Sequence, residues 1–273
     1  MSFVPVVPFG GPAGWSFLKR TMAAQAGAHA ATPALARDEA HFRARIGTVR
    51  SAEALVSDPR LMRVALGAFG LEADARNTFF IRKVLEEGTL DPGALANRLA
   101  DKRYRAFSAA FGFGDFSVPR TVLSDFGNEI VARWKERGFE AAVGAVSEPM
   151  RLALNARREI AALAAEPSSV DTKWYTIMGT PPLRKVVEGA LGMPPTFAAL
   201  PLDRQLTMLK DRSAAAFGAS GVEQFTQPDR MEALITRYLI RAETGPAPGG
   251  VAATTPGSAA LALLQGASLA RRR

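Results

Sequence analysis

The sequence predicts an all-α protein built from two related multi-helix units, and three observations predict it. Thirteen residues near position 60 recur near position 181 without a gap: Pro59-Arg60-Leu61-Met62-Arg63-Val64-Ala65-Leu66-Gly67-Ala68-Phe69-Gly70-Leu71 aligns on Pro181-Pro182-Leu183-Arg184-Lys185-Val186-Val187-Glu188-Gly189-Ala190-Leu191-Gly192-Met193, with Pro, Leu, Val, Gly, Ala and Gly identical. Self-similarity of this kind marks a repeated supersecondary unit. Apolar segments at helical spacing are opened by Ser or Asp-Pro and closed by Gly, the residues that cap helix ends. Finally, no alternating apolar–polar run exceeds four residues and no Asn-Gly hairpin signal occurs, so strands are not expected.

Residues 1–13 read as an extended, proline-rich arm, and residues 14–50 as N-terminal helices. Trp15 opens the first of these, Thr32-Pro33-Ala34 interrupts it, and a second runs from Asp38 through Ile46 with acids in its first turn and bases in its last. The first unit, 51–138, begins with Ser51 as a cap. Asp58-Pro59 starts its next helix, Gly70 stops that one, and Gly88 ends the Phe79–Leu85 helix. Asp91-Pro92 opens a helix carrying Leu95, Leu99 and Tyr104 up to Phe111-Gly112-Phe113-Gly114, and an amphipathic helix follows from about Pro119 to Arg137. Connecting helices fill 139–167, a short one over Phe139–Val146 and a longer one capped by Ser147 that reaches Ala165. The second unit, 168–243, opens at Ser168-Ser169-Val170-Asp171 and ends in Leu234–Arg241, an echo of Ile130–Arg137. The remaining 244–273 read as a flexible tail: Gly245-Pro246-Ala247-Pro248-Gly249-Gly250 is linker-like, and Ala259–Leu264 is a short apolar segment without a core of its own.

Composition excludes several classes of function. The 273 residues suffice for one large core or two smaller ones, and 48% hydrophobic with 22% charged residues is globular composition. No run approaches the ~18 apolar residues of a membrane-spanning helix. The N-terminus lacks a basic segment followed by a continuous apolar one, so no cleaved signal peptide is expected. The absence of cysteine removes disulfides, thiolate nucleophiles and cysteine-bound metals together. It fits a cytoplasmic protein, and equally one exported by a route that does not rely on disulfides. The net charge of +8 and a pI near 10.3 suggest nucleic acid as an alternative partner, although the basic residues are spread along the chain and sit near acidic ones.

Few residue groups suggest chemistry. Asp38-Glu39-Ala40-His41 spells a helicase motif without the phosphate-cradling loop that helicase chemistry needs. The two histidines, His29 and His41, have no carboxylates around them at metal-ligand spacing, and no cofactor is expected. Phe111-Gly112-Phe113-Gly114-Asp115 ends a helix rather than beginning one, which suits a glycine cap better than a phosphate loop. Asp101, Asp203 and Arg204 are the members of an enzymatic alternative that nothing in the sequence draws together. The best candidate interaction residues are a pair of Arg–aromatic–Arg triplets, Arg133/Trp134/Arg137 and Arg237/Tyr238/Arg241. Flanking arginines can grip an acidic partner or stack on bases. Structurally, the aromatic would turn inward while the arginines snorkel outward, and the recurrence of the pattern where the fold recurs favours that reading.

Several strings resemble an alphaproteobacterial family known as domain of unknown function 1217. They are Val6–Thr21 (VVPFGGPAGWSFLKRT), Leu66–Leu71, Phe80–Gly88, Ala94–Tyr104, Phe139–Gly144, Met150–Asn155, Pro182–Val186 and Leu202–Leu206. The resemblance spans roughly residues 3–243. Members are often encoded among flagellar genes, so it implies a flagellum-associated protein without known catalytic activity, and it transfers no functional residue. The expected function is therefore that of a non-enzymatic helical interaction or structural protein associated with flagellar assembly or structure. Its expected location is cytoplasmic or, if exported, flagellum-associated, and its expected partner is a protein and, on the resemblance, a flagellar component.

Overall fold

The computed structural model describes residues 3–244; the linker and apolar segment read after Gly245 lie outside the described residues. Thirteen α-helices, and no strand, form the regular structure of the described residues together with five 3-10 turns. They are α1 (Gly11–Ala30), α2 (Pro33–Arg45), α3 (Ala52–Val56), α4 (Pro59–Gly67), α5 (Thr78–Glu87), α6 (Leu95–Arg98), α7 (Arg103–Phe111), α8 (Phe126–Val146), α9 (Glu148–Ala165), α10 (Val170–Gly179), α11 (Pro181–Leu191), α12 (Leu202–Phe217) and α13 (Pro228–Thr244).

Several starts follow the sequence signals. The Ser51 hydroxyl accepts from the Ala54 amide at 3.1 Å, and the Asp58 carboxylate accepts from Arg60 and Leu61 at 2.9 and 3.2 Å. Ser169 does the same for Thr172 at the head of α10. Other boundaries differ. α1 begins at Gly11 rather than Trp15, and α2 begins at Pro33 rather than Asp38, because proline fits the first turn, where its missing N–H has no partner to lose. Asp91-Pro92 does not open a helix. The Asp91 carboxylate folds back onto the Gly93 amide, and the segment expected as one helix is split into α6 and α7. Pro119 precedes a 3-10 turn, Arg120–Val122, and the long helix starts only at Phe126.

The largest departure is α8, which runs unbroken through Gly138, where the sequence reads a boundary between a unit and its connector. One glycine costs a helix about 1 kcal/mol relative to alanine. Burying Phe139 and Val143 on the continuing stripe outweighs that. The consequence is architectural, because the described residues form two cores that share this helix. Phe126, Ile130, Val131 and Trp134 enter the first, with Phe42, Leu55, Leu66, Ile81, Phe107 and Phe111. Phe139 and Val143 enter the second, with Trp15, Leu18, Met150, Ile160, Trp174, Val186, Phe225 and Leu234. The second core is thus not confined to residues 168–243; α1, the end of α8 and α9 complete it.

Polar contacts fasten these pieces. The Trp15 indole donates to Glu232 at 2.7 Å and the Lys19 ammonium pairs with the same oxygen at 2.5 Å, joining α1 to α13. Between α8 and α9, Arg158 meets Glu140 at 2.9 Å, and Glu159 accepts from both Arg137 and Arg158. The buried Lys173 ammonium, on α10, donates to the Ala164 carbonyl and to Glu223. The N-terminal arm folds back along α1, where the Gln25 amide accepts from the Val6 N–H at 2.7 Å and donates to its carbonyl at 3.1 Å. Phe3 lies against His29 and Phe139, with ring centroids 5.4 and 6.4 Å away.

That aromatic setting gives His29 a pH signature. Burial lowers its pKa from 6.5, so the folded chain prefers the neutral ring. The stabilisation is complete above the unfolded value and is lost as pH falls through the folded one. The melting temperature should therefore decline below about pH 6.5, and His29→Phe should flatten that decline in a melt series from pH 7.5 to 5.

Candidate interaction site

The two Arg–aromatic–Arg triplets lie at helix crossings of the same design. The repeated strings form α4 and α11, and each crosses a later helix, α8 and α13 respectively. At the first crossing Gly67 faces Trp134, and a Cβ on that glycine would stand 2.5 Å from the indole Cδ1. At the second Gly189 faces Tyr238, and a Cβ would stand 2.9 Å from the ring. Glycine is needed at both positions so that an aromatic side chain can lie across the helix backbone.

The helix ends just beyond are also built alike. Gly70 and Gly192 adopt φ of +70° and +65°, and the next amides, Leu71 and Met193, bond back to Leu66 and Glu188 at 3.0 and 2.9 Å. This is the Schellman arrangement, which satisfies carbonyls left over at a helix C-terminus.

The arginines finish the same joints. Arg133 lies over the Phe69 ring and Arg237 over Phe217, each 5.7 Å from the centroid. Arg237 and Arg241 donate to the Ala190 and Gly189 carbonyls at 3.2 and 3.3 Å, while Arg137 pairs with Glu159 at 2.7 Å. Trp134 and Tyr238 are buried, and burial first, with the Glu148 charge second, pushes the Tyr238 phenol up to about 12. The six candidate residues thus hold helices together inside the chain. Arg133 and Arg241 keep exposed side chains as well.

The other sequence candidates are spent on packing too. Within the helicase-like string, buried Asp38 takes Arg63 at 2.6 Å, Glu39 takes Lys135 at 2.5 Å and Arg43 at 3.0 Å, and His41 meets Asp58 at 2.6 Å. Burial works against the Asp58 charge, yet the His41 bond and the Leu61 and Arg60 amides hold its carboxyl below the usual range. Asp101 pairs with Arg103, whereas Asp203 lies 3.5 Å from the Tyr175 hydroxyl, and no hydrogen bond or ion pair joins Asp101, Asp203 and Arg204. No group of three His, Asp or Glu side chains among the described residues could hold a metal ion. None of the described helices is long and apolar enough to cross a membrane.

A feature that sequence reasoning missed lies beyond the Gly112 cap. Gly112 is left-handed at φ +69° and Phe111 is buried, as the cap reading requires. Asp115 then ties this loop to the one after α5, accepting from the Thr89 hydroxyl at 2.8 Å, the Leu90 amide at 3.0 Å and the Thr89 amide. The tied loops carry Leu90, Phe116 and Val118 outward, at 69%, 52% and 60% exposure. Asp115 after two glycines was a visible signal for the tie. The exposure of the apolar side chains was not visible, because periodicity is not defined in loops.

No curated protein matches the chain. A crystal structure of a protein from Agrobacterium tumefaciens matches in fold, with a TM-score of 0.70 over 89% of this chain and 100% of that one, at 22% identity. The family match is the more telling comparison, since it covers residues 68–231, from just past α4 to the first turn of α13. Both cores contribute to that segment, and with more than half of the sequence matched, the chain belongs to the family described as Protein of unknown function (DUF1217).

Proposed function

We propose that the protein works by binding another protein through the tied loops at Asp115, as a helical assembly component in a flagellar setting. The observation that carries this reading is the exposure of Leu90, Phe116 and Val118 on loops that Asp115 holds fixed. Ordering a loop costs conformational entropy, and a surface already ordered in the free chain avoids that cost on association. The flagellar setting rests on the sequence resemblance. With the Arg–aromatic–Arg triplets engaged in internal joints, the loops are the better candidate for contact with a partner.

The test is affinity capture of the tagged protein from its native, flagellated cells after nuclease treatment, with Leu90→Ser/Phe116→Ser as the comparison. Rod, hook or export-apparatus proteins should be enriched by the parent and lost by the double variant. A deletion strain with normal flagella and normal swimming would count against the flagellar setting. Asp115→Ala should lower the melting temperature modestly, by an amount equivalent to about 2 kcal/mol, because hydrogen bonds to a charged acceptor are lost. Nucleic-acid binding, the second reading, is supported by the net charge of +8 and predicts affinity that falls steeply with salt.

A further inference from the structure

A cleft of about 770 Å³ lies where the end of α2 and the 3-10 turn after it face the α3–α4 corner. Its lining includes four cationic or titratable side chains, His41, Arg45, Arg60 and Arg63, and one carboxylate, Asp58. Both oxygens of that carboxylate are occupied, Oδ2 by His41 and Oδ1 by the Arg60 and Leu61 amides. That carboxylate keeps its negative charge, but its oxygens are engaged by donors of the chain itself and do not turn their free lone pairs on an incoming anion. Arg63 gives one nitrogen to Asp38 at 2.6 Å, yet its side chain stays 59% exposed, so further N–H groups face water. Arg45 and Arg60 have no hydrogen-bond or ion-pair partner for their guanidinium groups among the described residues.

Two unpaired guanidinium forks with a third beside them suit an oxyanion, since each fork offers parallel N–H groups at the spacing of two oxygens. No Phe, Tyr or Trp lines the cleft. That removes the stacking platform on which single-stranded nucleic acids are usually held. The rest of the wall is Val49, Ala54, Pro59 and Leu61 with the Thr48 and Ser57 hydroxyl side chains, a mixed surface that fits the body of a compact polar ligand. We propose that this cleft is an oxyanion site for a phosphoryl group on a small molecule, gripped by Arg45 and Arg60 and completed by Arg63. None of Leu90, Asp115, Phe116 or Val118 lines the cleft.

The experiment is calorimetric titration of the full chain with inorganic phosphate, pyrophosphate and a mixed-sequence single-stranded oligonucleotide at physiological salt, with acetate as the control anion. Saturable binding of one pyrophosphate or phosphate per chain is expected. Arg45→Gln/Arg60→Gln should weaken it at least tenfold, and Arg157→Gln/Arg212→Gln, an equal loss of charge at exposed positions outside the cleft, should leave it unchanged. Both target side chains are exposed, so the melting temperature of each double variant should stay near that of the parent. Absence of saturable phosphate and pyrophosphate binding would overturn the proposal, as would equal weakening by the two double variants. Binding of the oligonucleotide without either small anion would overturn it in favour of a nucleic-acid surface.

Discussion

Trp134→Ala is expected to lower the free energy of unfolding by about 3–5 kcal/mol, the range for truncating a buried aromatic. The upper part of that range is expected, because the residue opposite is Gly67 and offers no side chain to fill the space. The indole is buried in the first core, on the stretch of α8 that faces α4. Arg133→Ala, one position earlier, supplies the contrast. Its side chain is 48% exposed and its ion pair with Glu129 lies on the surface, so a loss of under about 1 kcal/mol is expected. Chemical denaturation followed by circular dichroism reads both variants without relying on the deleted fluorophore. A Trp134→Ala loss no larger than that of Arg133→Ala would mean that the crossing does not hold the first core.

Gly138→Pro tests whether α8 couples the two cores. Proline in a helix interior removes one backbone bond and clashes with the carbonyl four residues back, here that of Trp134, for about 3 kcal/mol or more. The position lies between Trp134 in the first core and Phe139 in the second. The expected result is therefore loss of coupling as well as loss of stability. Hydrogen exchange read by mass spectrometry should show peptides from α4–α7 and α10–α13 opening in one step in the parent and in separate steps in the variant. Gly138→Ala is the control, since a Cβ there would stand 3.2 Å from the His29 ring and ask only a small shift. It should stay within about 1 kcal/mol of the parent. Independent opening of the two regions in the parent itself would show that α8 does not couple them.

Helix ends that were legible in the sequence are those fixed by a residue's own backbone chemistry. Ser51 and Asp58 cap the helices they precede, and Gly70, Gly112 and Gly192 take the left-handed turn that a side chain disfavours. The boundaries that were misread depended on partners distant in sequence. Pro119 looked like a helix start, but the segment after it is held by the Thr121 hydroxyl on the Val49 carbonyl, 72 residues away, and forms a 3-10 turn. Gly138 looked like a boundary because a glycine is locally unfavourable in a helix, while the apolar surface that Phe139 and Val143 bury comes from α1 and α9 onward.

The candidate site divides in the same way. That Arg, an aromatic and a second Arg recur in both halves was plain in the sequence; that they close onto glycines of α4 and α11 was not, because the two members of each crossing lie about 50 to 70 residues apart. By itself the sequence determined the all-α class, the caps at Ser51, Asp58, Gly70 and Gly112, and the absence of cysteine chemistry, since each follows from local backbone preference or from composition. Only the tertiary structure decided that one helix serves two cores, which groups of neighbouring segments the triplet arginines contact, and that Leu90, Phe116 and Val118 are left exposed. Burial and ion pairing depend on which distant surfaces meet, and local preference does not encode that.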